Sequence, residues 1–167
     1  MAAPLEVLHY IGGGLATDDL YLLDLKQGED KGKWVIVTVD GNTPGKRYGH
    51  SMIYNKPHIV LFGGQLSNQV VNDVWILSIE KMPFSWAKLE FKEDGPSARV
   101  YHSAAICTTG SVAGMMLTFG GRNSQSEPLN DTWGLRKHRD GTWEWIKAPC
   151  KASSKQPTSR FQVQIIT

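Results

Sequence analysis

The sequence predicts an all-β protein made of short antiparallel strands in repeated four-stranded units. Three observations carry that expectation. Seventeen glycines and eight prolines accompany six tryptophans, five tyrosines and five phenylalanines, and glycine and proline punctuate turns while aromatic side chains fill pleated sheets. Four sequence markers return in the same order along the chain. Between the markers lie apolar runs of strand length, bounded by turn residues.

The first marker is a double glycine that closes an apolar run: Ile11-Gly12-Gly13-Gly14, Phe62-Gly63-Gly64 and Phe119-Gly120-Gly121, roughly fifty residues apart. The second is an aspartate two places before an aromatic residue, at Asp19 and Tyr21, Asp73 and Trp75, and Asp131 and Trp133. A second aromatic follows at Trp34, at Trp86 and at the pair Trp143 and Trp145. The fourth marker is a proline-led turn carrying an arginine: Pro44 to Arg47, Pro96 to Arg99 and Pro157 to Arg160. The most complete unit places strands at 50–55, 58–62, 74–79 and 86–91, and the next at 102–107, 115–119, 132–137 and 143–148. Asp140-Gly141 joins the last two, and Asp-Gly is a favoured hairpin turn. The chain therefore divides into a partial unit over 5–40, complete units over 47–91 and 99–148, and the start of another over 160–167.

A repeat of this length, with four strands, a double glycine and two spaced aromatics, resembles the Kelch repeat, which packs as one blade of a β-propeller. The chain is thus expected to be a single domain, 1–167, forming a partial Kelch propeller of about three blades. The rival WD40 propeller is excluded because no Trp-Asp dipeptide occurs. Gly13, Gly14, Gly63, Gly64, Gly120 and Gly121 are expected where strands converge and a backbone with positive φ is needed. Tyr21, Trp34, Trp75, Trp86, Trp133 and Trp145 are expected to fill the wedge between twisted blades. Three strands from the first unit, four from each of the next two and one over 163–167 make three blades. Such an arc leaves open faces, so pairing of two half-propellers into a closed ring is an expectation, alongside continuation of the propeller in further sequence. Val163 departs from the pattern, standing where His50 and His102 stand in the preceding units.

Composition excludes several functions. Eighteen basic residues against sixteen acidic ones leave no electrostatic footprint for nucleic acid or a membrane surface, and no apolar run reaches the ~20 residues of a membrane span. Cys107 and Cys150 lie far apart and outside any metal-binding spacing, so both are expected reduced, in the cytoplasm or nucleus. The Asn130-Asp131-Thr132 sequon would matter only in a secreted chain. His9, His50, His58, His102 and His138 never fall at metal-ligand spacing, and no cofactor is expected. Arg139-Asp140-Gly141-Thr142-Trp143 resembles the Asp-box of sialidases, but the residues separating Asp, Gly and Trp in that motif are missing. A Ser-His-Asp triad can be neither supported nor excluded from sequence, since its members meet only in space.

In an up-and-down sheet the loop after strand two and the turn before strand one share a side. That face is expected to collect Arg47, Tyr48, Gln65, Asn68, Gln69, Arg99, Tyr101, Arg122, Asn123, Gln125 and Arg160. Arginines among amides and tyrosines suit an acidic or phosphorylated peptide. For Arg47, Arg99 and Arg160 an alternative stands beside this one, as forks tied to carbonyls of the adjoining blade.

The run Phe119-Gly120-Gly121-Arg122, with Leu129-Asn130-Asp131-Thr132-Trp133-Gly134-Leu135-Arg136-Lys137 and its continuation to Pro149, is more specific than a repeat signature. It resembles the N-terminal Kelch domain of the plant and alveolate serine/threonine protein phosphatases with Kelch-like domains. The resemblance implies a regulatory or substrate-docking domain whose catalytic partner, with a dinuclear metal centre, lies elsewhere on a longer chain. The phosphatase's metal-ligand motifs, of the Gly-Asp-x-His-Gly and Gly-Asn-His-Glu kind, do not occur in these residues. Two alternatives remain at this level: a stand-alone Kelch adaptor, and a propeller enzyme acting on a glycan or small molecule.

Overall fold

A computed structural model describes residues 18–24, 32–148 and 157–162. The expected strands over 5–11 and 163–167, with Gly13, Gly14, His9 and Cys150, lie outside the described residues. Fourteen strands are described. They are β1 (Leu20–Asp24), β2 (Lys33–Val37), β3 (Val39–Asp40), β4 (Arg47–Tyr48), β5 (Ser51–Asn55), β6 (His58–Phe62), β7 (Gln65–Leu66), β8 (Gln69–Val70), β9 (Val74–Ser78), β10 (Phe84–Leu89), β11 (Ser103–Ile106), β12 (Met116–Phe119), β13 (Thr132–Lys137) and β14 (Trp143–Lys147).

The third blade is a four-stranded antiparallel sheet in chain order, β11-β12-β13-β14. The second has the same order over β5-β6-β9-β10. It gains a fifth strand, because β3 pairs in parallel with Phe84 and Ser85 of β10. Val39 and Asp40, assigned by the sequence to the first unit, thus cover the outer edge of the second, which removes an unpaired strand edge. The first blade is described as the hairpin-like pair β1-β2.

Blades stack face to face. Ile59, Leu77 and Phe84 of the second blade pack with Leu20 and Val37 of the first. Val60, Phe62 and Val74, from the opposite side of the same strands, pack with Met116, Leu135 and Trp145 of the third. Both faces of β6 are therefore buried, which explains why His58–Phe62 reads as a continuous apolar run and not as an alternation. Trp145 lies 5.0 Å from Phe62, tilted by 58°, a geometry that adds to simple area burial.

The double glycines are required by close approach. A Cβ on Gly63 would lie 2.9 Å from Arg99 O of the next blade, and one on Gly120 would lie 2.5 Å from Arg160 O. Both glycines also have φ near +65°, which disfavours other residues.

Two of the arginines expected on the recognition face are not there. Arg47 is 2% exposed and Arg99 is fully buried. Arg99 forms a two-pronged pair with Asp131, at 2.7 and 2.8 Å, and also donates to Gly120 O. Arg47 grips Asp73 and Gly63 O in the same way. The indole N–H of Trp75 donates to Asp73, and that of Trp133 to Asp131, each at 2.7 Å. This bond explains the two-residue spacing: alternate residues of an extended strand share a face. The arginine backbone meanwhile joins the preceding blade, since Arg99 N donates to Val71 O and Arg99 O accepts from Gly64 N. Withdrawal from solvent follows from having a carboxylate, a carbonyl and a neighbouring backbone to satisfy.

Trp34 also departs from expectation. Trp145 is 7% exposed, but Trp34 is 51% exposed, because among the described residues no blade lies against its side of β2.

Inside the arc, His102 Nε2 lies 2.8 Å from Ser51 Oγ of the second blade. Burial, and then the charge of Arg99, hold the His102 imidazole down to about 3. Burial alone would raise Asp73 and Asp131. Hydrogen bonds and charge from Arg47 and Arg99, with the indole donors, outweigh it and lower both carboxyls.

Breaking a buried pair by removing one partner strands the other charge. Arg99→Ala is therefore expected to cost about 3–5 kcal/mol in urea unfolding. Replacing Arg99 and Asp131 together by Met and Leu should recover part of that loss, which a simple cavity would not.

The acid sensitivity has a definite sign. The unfolded chain protonates His102 near pH 6.5 while the folded state does not do so until about 3, so the unfolded state binds more protons throughout that window. Stability supplied by the neutral ring is complete above pH 6.5 and falls by about 1.4 kcal/mol per unit below it. Asp73 and Asp131 add to the loss at lower pH, as their lowered pKa values are crossed. Stabilities from urea unfolding at pH 7.5 and 5.5 should differ by about 1.4 kcal/mol from this ring, and His102→Gln should flatten that difference; an unchanged slope in the variant rules the assignment out.

Candidate recognition face

Antiparallel pairing sends the double-glycine loops and the proline-arginine turns to one side. There they form a small sheet, β4-β7-β8, in which Arg47 pairs with Leu66 and Tyr48 with Gln65. The third blade repeats it in reduced form, as bridges from Arg122 to Val100 and to Pro128. The turns β5-β6, β9-β10 and β13-β14 project from the other side.

Apart from the buried Arg47 and Arg99, the expected face residues fall into two groups. Tyr48, Asn68, Gln69, Gln125 and Arg160 are exposed, and Gln65, Tyr101, Arg122 and Asn123 are half-buried. Asn123 organises its loop: its Oδ1 accepts from the N–H of Gln125 and of Glu127, and its Nδ2 donates to the Glu127 carboxylate. Gln65 Nε2 is turned back to Ser67 O. These two amides shape the loops and are engaged internally.

Arg122 is different. Its Nε donates to Ser126 O at 3.2 Å, and its guanidinium carbon sits 4.8 Å from the centre of the Phe161 ring. The plane is thus fixed by one bond and one stacking contact, and the two terminal nitrogens have no protein acceptor among the described residues. Stacking leaves the donor edge of a guanidinium free for a carboxylate or phosphate. Sequence reasoning missed Phe161 and Ser126; the signal for the first was its position beside Arg160, matching Tyr48 beside Arg47.

Tyr101 has φ +58°, Gly49 at the matching position has φ +65°, and Gln162 has φ +54°. Tyr101 N donates to Gly49 O, and Gln162 N donates to Tyr101 O. A chain of left-handed residues therefore links blade to blade, and at Tyr101 it carries a large side chain in a conformation that costs on the order of 1–3 kcal/mol. The Tyr101 and Tyr48 rings stand 6.2 Å apart. The strain presents an aromatic pair beside the Arg122 loop.

Catalytic arrangements are weak. Ser51 and His102 stand at nucleophile-to-base distance, but His102 Nδ1 has no hydrogen-bond partner among the described residues, and a ring protonating near pH 3 is a poor base at neutral pH. No group of three or more His, Cys, Asp or Glu among the described residues can hold a metal ion. Asp140 Oδ1 accepts from the N–H and the hydroxyl of Thr142, so Arg139 to Trp143 is a hairpin turn. A cavity of about 540 Å³ lies elsewhere, between residues 89–93 and the β13-β14 hairpin, lined by Phe91, Trp143 and the half-exposed pair His138 and Glu144. No helix of the described residues is long and apolar enough to cross a membrane.

Comparison with known proteins agrees with this architecture. Residues 6–167 match the family described as the KLHDC2/KLHL20/DRC7 Kelch-repeats domain. The chain is 39% identical over 150 residues to the serine/threonine-protein phosphatase BSL2 of Arabidopsis thaliana, covering 89% of this chain and 14% of that protein. It is 30% identical over 140 residues to the Rho GTPase-activating protein gacHH of Dictyostelium discoideum, covering 83% of this chain and 8% of that protein. Over 131 residues it is 30% identical to host cell factor 1 of Rattus norvegicus, covering 67% of this chain and 6% of that protein. The chain thus spans a small part of the length of each. With its four-stranded blades, double glycines and arginine-aspartate locks in place, the chain belongs to the Kelch-repeat family.

Proposed function

We propose that this chain is a protein-interaction module which binds acidic or phosphorylated peptide segments on its double-glycine face. The observation that carries the reading is Arg122, fixed by Ser126 O and by the Phe161 ring with its terminal nitrogens unengaged. Tyr48 and Tyr101 supply flat, rigid contact area next to it, which costs little side-chain entropy on binding. Arg47 and Arg99, buried in their locks, take no part. The likeness to BSL2 over most of this chain supports a role as the regulatory or substrate-docking part of a phosphatase, and we take it to act in the cytoplasm or nucleus, which its two widely separated cysteines suit. Pairing of two such half-propellers belongs to the same reading.

The test is fluorescence anisotropy with two labelled peptides, one carrying phosphoserine among glutamates and the other serine among glutamines. The acidic peptide should bind more tightly, and Arg122→Ala should weaken it about tenfold, the loss of about one charge-assisted pair, while the unfolding midpoint stays within about 0.5 kcal/mol of the parent. Equal binding of both peptides, or an Arg122 variant that binds as the parent does, would overturn the reading.

A further inference from the structure

The rim between the second and third blades differs from the rim between the first and second. Phe91 and Lys92 follow Trp86 as Val39 and Asp40 follow Trp34, and Trp143 and Glu144 precede Trp145 as Phe84 and Ser85 precede Trp86. In the second blade the matching segments meet, since β3 pairs with Phe84 and Ser85 and covers the outer edge of β10. In the third blade they do not: among the described residues β14 is paired on one side alone, with β13. Residues 89–93 stand off from it across the cavity of about 540 Å³. Bulk explains the difference, because Trp143 takes the place of Phe84, and the Phe91 ring packs on Trp145, 6.2 Å away and tilted by 42°.

This groove combines a hydrogen-bonding edge, an aromatic wall and a charge. His138 N donates to Thr142 O and Ala148 N to Thr132 O, so by the alternation of an antiparallel pair the peptide groups of Trp143 and Trp145 point away from β13. Phe91, Trp143 and Trp145 wall the cavity. The Trp143 ring already accepts a cation, the Lys137 ammonium 5.7 Å from its centre, and Lys137 is not itself a wall of the groove. Three carboxylates, of Glu90, Glu93 and Glu144, line it against the one ammonium of Lys92, in a chain whose net charge is +2. His138 Nε2 holds the Glu144 carboxylate at 2.8 Å. Every wall belongs to the second or third blade and lies within the described residues 32–148. A further blade would pack on the opposite face of the third, away from this groove.

We propose that the groove takes an extended basic segment of a partner protein, added as a strand to the outer edge of β14. The main chain of that segment pairs with Trp143 and Trp145, as strand addition to a sheet edge does. Its alternate lysine or arginine side chains meet Glu90 and Glu144 and lie against the Trp143 ring. Main-chain bonds supply affinity, and the carboxylates choose the partner. The site selects the charge opposite to that of the double-glycine face and uses none of its residues, so each can fail without the other.

Fluorescence anisotropy with the 167-residue chain and a labelled peptide alternating lysine with valine tests the proposal. Two control peptides carry glutamate in place of lysine, or N-methyl groups on alternate residues that remove the donors of one strand edge. The lysine peptide should bind, the glutamate peptide should not, and N-methylation should weaken binding about tenfold. Glu90→Lys and Glu144→Lys should each weaken it about tenfold, the loss of about one charge-assisted pair, with the urea midpoint unchanged. Hydrogen exchange at the Trp143 and Trp145 amides should slow about tenfold in the complex. Equal binding of the lysine and glutamate peptides, or indifference to both glutamate variants, would overturn the charge selection. Binding that leaves those two amides unprotected would overturn strand addition. Amides already protected in the free chain would overturn the site itself, since another part of the polypeptide would then hold the edge.

Discussion

The fold depends on an arginine that is a backbone partner to one blade and a side-chain partner to the next. Arg99 carries the pattern most fully: its peptide group bonds Val71 and Gly64 of the second blade, while its fork holds Asp131 and Gly120 of the third. Five donors in a rigid plane can satisfy a carboxylate and a carbonyl together, which a lysine cannot. Gly63 and Gly120 follow from the same constraint, because only a residue without a Cβ lets the next blade's arginine backbone approach so closely. Trp75 and Trp133 follow as well, each spending its indole N–H on the aspartate that the arginine already holds.

That constraint also decides which side chains the double-glycine face keeps. Two of the four arginines expected on the double-glycine face are consumed by the locks, and Asn123 and Gln65 by their own loops. What is left is sparse and well fixed: Arg122 clamped between Ser126 O and Phe161, and Tyr101 held in a left-handed conformation by bonds to the blades on both sides. A preorganised guanidinium loses less entropy on binding than a free one. Relatives as different in printed name as a phosphatase and a GTPase-activating protein share the scaffold, which is the expected outcome when loops carry recognition and strands carry stability.

The described strand runs at 58–62 and 132–137 were legible in the sequence to the residue, because apolar runs bounded by glycine and turn residues have few other solutions. The packing role of Trp145 was legible for a similar reason, since large rings have little else to do in a twisted sheet. The short β3, β4, β7 and β8 were not, because two-residue strands have no periodicity to read and form only where another segment lies alongside. The exposure of Trp34 was not legible either: the residue is the same as at Trp145, and only the presence or absence of a covering blade among the described residues distinguishes them.

The sequence by itself determined the all-β class, the repeat, the order of four strands in a blade and the side on which the loops gather, since periodicity, turn chemistry and antiparallel alternation are local properties. Only the tertiary structure decided which arginines are buried. Arg47, Arg99, Arg122 and Arg160 offer the same chemistry in one dimension, and their roles separate when Asp73 and Asp131, twenty-six and thirty-two residues along the chain, arrive within 2.7 Å of the first two. Where no such carboxylate among the described residues arrives, as at Arg122 and Arg160, the same side chain bonds its own loop or turn instead.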